Sequence, residues 1–162
     1  MIVNKDITEF VADNVLASTN IETYCQTNFT KSLMVLVGVD NMNPPDITDL
    51  PCLIIEPTVK SVGDKNSNFD YEIALHLGIQ GKDKPTITGN KVVYDGVYQI
   101  EELGNLVVDL IKKEFAIHTN MNTFDVSFYQ DEINAFPTYS GVILASMSVP
   151  NVIGENKIIF SC

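Results

Sequence analysis

FDYEIALHLGI, residues 69–79, alternates side chains without a break. Phe69, Tyr71, Ile73, Leu75, Leu77 and Ile79 fall on one parity, and Asp70, Glu72, Ala74, His76 and Gly78 on the other. Period two sustained over this length specifies a β-strand with one face in a core and the other wet or partner-facing. Upstream, PCLIIEP at 51–57 reads as a second strand, with Pro51 and Pro57 expected to stop it at both ends. The polar stretch 58–68 between the two runs makes an antiparallel hairpin the expected pairing.

The pattern extends in both directions. LMVLVGV at 33–39 is short, continuous and valine-rich, which favours a buried strand. It runs into DNMNPPDITDL at 40–50, where Pro44 and Pro45 forbid regular pairing. Downstream, Phe124, Val126 and Phe128 alternate, as do Tyr139, Gly141, Ile143, Ala145, Met147 and Val149. A turn at Asp131, Glu132 and Asn134 joins them into a second hairpin.

Two helices complete the reading. GVYQIEELGNLVVDLIKKEF at 96–115 places Ile100, Leu103, Val107, Leu110 and Ile111 on one stripe. Asp95 stands at its cap position, Lys112 and Lys113 lie in the last turns, and Glu101, Glu102 and Asp109 face outward. At 7–18, Ile7, Phe10, Val11, Val15 and Leu16 make a second stripe, and Asp6 with Glu9 imitates a capping box. Residues 19–31 read as a connection with room for a short strand, and 81–95 as a polar segment leading to the long helix. The expected order is α-β-β-β-α-β-β: an α+β fold with a mainly antiparallel sheet, two hairpins plus an additional strand, packed on two helices.

A chain of 162 residues with 45% hydrophobic and 19% charged residues reads as one globular domain, 1–162. The stretch 151–162, with Ile158, Ile159 and Phe160, reads as a tail that docks on the body or on a neighbour. No apolar run reaches the length of a membrane span, and the first ten residues lack a signal-peptide pattern. Cys25, Cys52 and Cys162 form no CxxC pair and are expected as free thiols, Cys52 as a small core hydrophobe. The net charge is −11, and every one of the ten basic residues is a lysine. A negative field without bidentate guanidinium groups argues against reading phosphates or base edges. It suits a surface past which DNA moves without sticking.

Catalytic and cofactor patterns are not assembled. His76 and His118 have no nucleophile partner pattern, and there is no GxGxxG or GK[ST]. Asp40, Asn41, Asn43, Asp46 and Asp49 cluster without the order and terminal glutamate of a calcium loop, so a solvated or interaction loop is expected. Neither a metal nor a cofactor is expected. The even face of 69–79, with Ala74, His76 and Gly78, is small and weakly polar. Packing against another subunit and burial under a helix fit it equally.

The segment DLPCLIIEPTVKSVGDKNSNFDYEIALHLGIQ at 49–80, the helix GVYQIEELGNLVVDLI and the FDV…YSGVILASMSV hairpin together resemble the tail terminator, or tail completion, proteins of long-tailed bacteriophages, the group that includes minor tail protein U. The resemblance lies in element order, length and hydrophobic texture. It implies a non-enzymatic virion protein, assembled in the host bacterial cytoplasm, whose subunits form a homo-oligomeric ring, hexameric in the family. Its implied partners are the tail tube protein and the head connector or completion protein, with DNA passing through unbound and no membrane contact. Under that resemblance the candidate interaction loops carry Asp40, Asn41, Met42, Asp46, Lys60, Lys65, Lys82, Asp83 and Lys84. Another head-tail joining or tail tube protein, or a small-molecule binding α+β module, are the alternatives.

Overall fold

The computed structural model describes residues 4–40, 42–62, 68–82, 84–117, 123–131 and 136–149. Helices α1 (Asn4–Ala17) and α2 (Thr19–Phe29) precede β1 (Met34–Val37), β2 (Cys52–Val62), β3 (Phe69–Gln80), β4 (Thr86–Thr88) and β5 (Lys91–Val93). Helix α3 (Gly96–Ala116), β6 (Thr123–Gln130) and β7 (Thr138–Val149) follow. Five strands form one sheet in the order β1-β2-β3-β7-β6, and β4 pairs with β5 in a separate two-stranded sheet. The class is α+β with a mainly antiparallel sheet, as the alternation predicts, and both long hairpins pair antiparallel.

The odd parity of β3 is the core face. Tyr71, Ile73, Leu75, Leu77 and Ile79 are buried, as are Leu53 and Ile55 of β2 and Ile143, Ala145 and Met147 of β7. Helices α1 and α3 cover this face with Ile7, Val11 and Val15, and with Ile100, Leu103, Val107 and Ile111. Aromatic rings tie the layers together: Phe115 of α3 meets Phe10 edge-on at 5.1 Å and stacks on Phe124 of β6 at 4.9 Å. Phe128 lies against Gly104 of α3 and Gly141 of β7, so closely that a methyl group on either would fall 2.6–2.7 Å from the ring.

Several expectations are corrected. Residues 19–29 form a helix, not a connection. Ser18 caps it by accepting from the Ile21 amide at 3.4 Å, and Ile21 and Cys25, one turn apart, are buried. Tyr24 then joins α2 to α3, its hydroxyl donating to Glu102 Oε2 at 2.9 Å with the Gln99 carbonyl at 3.2 Å. Glu102 is therefore a bridging residue rather than a purely outward acid. Helix α1 begins by Asn4, which puts Asp6 and Glu9 inside it rather than at its cap, and Leu16 is 62% exposed. Leu110 is only half-buried, and Val108 and Phe115 complete the α3 stripe in its place. Asp95 occupies the N-cap position of α3 but makes no side-chain cap bond. Its carboxylate instead accepts from the Thr86 hydroxyl at 3.0 Å and faces Lys82 Nζ at 3.6 Å. Pro57 does not end β2: the strand continues to Val62 past a register shift between Pro57 and Val59. Within 81–95, β4 and β5 form a small hairpin that was not expected.

Strand β1 pairs parallel to β2. The connection between them, 38–51, has the dozen or more residues (roughly) that a parallel crossover requires. Its residues Val39, Pro44, Pro45 and Leu50 lie beside Ile54, His76 and Val142, on the face of the sheet away from the helices.

Candidate functional site

Strand β3 has only one helix-covered face. The register places Leu36, Ile54, His76, Val142 and Tyr129 in a row across the five strands on the opposite, outer face. Glu56, Ala74, Leu144 and Ser127 make the adjacent row. Among the described residues no helix lies over these rows. Tyr129, Leu144 and His76 are exposed, while Leu36, Ile54 and Val142 are half-buried. The two fates open to the small, weakly polar parity of β3 thus separate: it is not roofed by a helix of the described chain.

One end of the outer face is bordered by the 38–51 connection. Val39, Pro44, Pro45 and Leu50 stand against Cys52, Ile54, Gly78 and Val142, leaving a cleft of about 300 Å³. Gly78 permits this approach, since a Cβ there would meet Leu50 at 3.1 Å. Cys52 sits beneath the connection and is buried, as expected; burial and then the nearby Asp49 charge push its thiol up. His76 Nε2 lies 3.6 Å from Glu56 Oε2, an exposed pair of small energetic weight.

The acidic cluster of the connection serves the backbone. Asp40 accepts from the Met42 amide at 2.9 Å and from Asn43 Nδ2 at 2.8 Å. Asp46 caps a 3₁₀ turn (Ile47–Asp49), accepting from the amide and hydroxyl of Thr48, while Asp49 accepts in return from the Asp46 amide. Bonds from Asn43 and from Thr48 hold the Asp40 and Asp46 carboxyls below the usual carboxylate range. Among the described residues no group of three potential metal ligands converges.

The other sequence-derived loop residues are scattered. Met42 is an exposed tip. Lys82 and Lys84 flank the approach to β4, and Lys82 is held near Asp95. Lys60 belongs to β2, paired with Tyr71, and not to a loop, because the strand outruns its proline. Asn41, Lys65, Asp83, His118, Glu132, Asn134 and the tail 151–162 lie outside the described residues. Sequence reasoning missed the outer-face row itself, since Leu36, Ile54, Val142 and Tyr129 lie on four different strands and only pairing brings them together. The hairpin pattern was the available signal: once the register is set, opposite parities align.

A second depression lies between the α1–α2 junction and α3, lined by Asn14, Ser18, Leu106, Asp109, Leu110 and Lys113. It is polar and open, and it explains the partial exposure of Leu110. Among the described residues no helix is long and apolar enough to cross a membrane.

Sheet, helix layer and open face together define an α+β protein with an unroofed, partly apolar sheet surface. No protein-family model matches the sequence, and comparison with curated proteins finds no match.

Proposed function

We propose that this chain is the subunit of a homo-oligomeric ring that terminates the tail tube of a long-tailed bacteriophage and joins it to the head connector. The observation that carries the reading is the open outer face, where a largely apolar row from Leu36 to Tyr129, interrupted by His76, crosses all five strands with no helix of the described chain over it. Partly apolar surface left uncovered in this way marks association sites. The uniformly lysine-based cation set and the net charge of −11 suit a channel that DNA traverses without binding. The tail terminator resemblance supplies the hexameric ring and the partners, the tube protein and the connector. In this reading the protein acts by shape and contact rather than by catalysis.

Size-exclusion chromatography with light scattering, with and without purified tail tubes, tests it, together with negative-stain images. Rings in solution or a single terminal ring on each tube are the expected result. A strict monomer that never associates with tubes refutes the reading, and a long polymer would assign the chain to the tube itself. The cleft beside Leu50 and Ile54 favours a second reading, a small-molecule binding module. A metabolite-specific rise in melting temperature, lost in Val142→Asp, would support that one.

A further inference from the structure

The outer face is not the only exposed apolar surface. Ile87 of β4 and Val92 of β5 are direct cross-strand partners, so they share one face of the small hairpin, and they are 67% and 50% exposed. At the base of the hairpin Tyr94 packs edge-on against Phe136 at 5.3 Å, and both rings remain exposed, as does Tyr98. A two-stranded hairpin standing apart from the main sheet is marginal in water. Placing its aliphatic pair toward solvent gives that pair no core to stabilise it.

Charge separates the two surfaces. The hairpin itself, residues 84–93, carries Lys84 and Lys91 and no acidic residue in a chain of net charge −11, while Lys82 just before it is held by Asp95. At the cleft, Asp131 is part of the lining, Glu56 lies beside the lining His76 and Asp49 near the lining Cys52, while Lys31 donates to the Thr48 and Leu50 carbonyls of the connection. A basic, apolar-tipped arm and an acidic-rimmed apolar cleft on the same chain are complementary to one another.

We propose that the β4–β5 hairpin of one copy docks into the outer-face cleft of the next copy. Ile87 and Val92 seat against Leu50, Ile54 and Val142, and Lys84 and Lys91 face the acidic rim. The occupant of the cleft is thus a second copy of this chain. Because the two patches differ, the contact is head-to-tail rather than two-fold, and a head-to-tail contact generates rings when its rotation closes. The inference rests on the ring reading above and names the surfaces that would build it. Docking also explains why an isolated hairpin keeps exposed aliphatic residues: its core is supplied by the neighbour.

The test uses the full-length chain in two disabled forms. An arm variant carries Ile87→Ser and Val92→Ser; a cleft variant carries Val39→Asp and Val142→Asp, with Val39→Asp alone as the form that spares the sheet. Unchanged circular dichroism and melting establish folding. Sedimentation velocity, and ring formation on tail tubes, then measure association. Each variant alone is expected to associate at least about tenfold more weakly than the wild type. Mixed together, they are expected to form a 1:1 heterodimer that goes no further, because one intact arm meets one intact cleft. Lys84→Glu with Lys91→Glu is expected to weaken association in the same direction. Wild-type rings that both variants join with undiminished affinity, or a mixture that gives no heterodimer, overturn the arm-in-cleft contact and leave the ring reading standing. A wild type that never self-associates, free or on tubes, overturns both.

Discussion

Gly141→Ala adds one methyl group at the point where α3, β6 and β7 meet. That methyl would lie 2.6 Å from Cε2 and 2.7 Å from Cζ of Phe128, and 2.9 Å from the carbonyl oxygen of Tyr129. The carbonyl belongs to the paired backbone of β6 and cannot yield cheaply. Nor can the ring retreat freely, since it also abuts Gly104 of α3, where a methyl would be 2.7 Å from the same Cε2. Overpacking of this kind costs about 1–3 kcal/mol. Alanine in place of glycine within a strand returns about 0.5–1 kcal/mol of backbone entropy. The net expectation is a loss of about 1–2 kcal/mol, or a fall of roughly 2–8 °C in melting temperature for a domain of this size. Urea unfolding of wild type, Gly141→Ala, Phe128→Ala and the double variant isolates the cause. With the ring gone, only the approach to the Tyr129 carbonyl remains, so the double variant should be more stable than additivity by about 1 kcal/mol, the ring's share of the clash. A Gly141→Ala protein as stable as wild type, or a coupling energy near zero, would show that the ring is not confined between helix and sheet as described.

Leu103→Ala, at a fully buried α3 position, should cost about 2–5 kcal/mol in the same unfolding assay, whereas Leu110→Ala, beside the open depression at Asn14, should cost clearly less; equal costs would mean the stripe is misplaced. Tyr24→Phe removes the hydroxyl that reaches Glu102 and should lower stability by about 0.5–1.5 kcal/mol. Adding Glu102→Gln to Tyr24→Phe should then cost little more, and an additive loss would count against the bridge. Burial, and then the Glu22 charge, push the Cys25 thiol from 9.0 up to about 12. The folded state thus keeps a proton that the unfolded chain releases, so this stabilisation is complete below 9 and is lost as pH rises toward 12. Wild-type stability should accordingly fall more steeply across that window than that of Cys25→Val, and parallel pH profiles would remove Cys25 as a contributor.

Local periodicity was enough to recover much of the fold. The strict alternation from Phe69 to Ile79 identified the core parity of β3, and the 3.6-residue stripe of α3 identified its inner face, because each pattern is imposed by a single element's own geometry. Helix α2 was less legible. Its threonines and asparagines have weak helix propensity, yet Ile21, Tyr24, Cys25 and Phe29 carry a usable one-face spacing behind a Ser18 cap. The β4–β5 hairpin was hidden for a different reason: three-residue strands are too short for alternation to emerge above a polar background.

By itself, then, the sequence determined the α+β class, both long hairpins, the inward parity of their strands and the absence of arginine from an acidic chain. Only the tertiary structure decided that α1 and α3 would share one face of the sheet and that β1 would join it in parallel. It alone aligned Leu36, Ile54, His76, Val142 and Tyr129 into a single row beside the connection 38–51. The physical reason is range. An alternating strand states that its two faces differ, but which face receives a helix depends on residues far away in sequence. Side chains on separate strands become a surface only when backbone pairing sets their register.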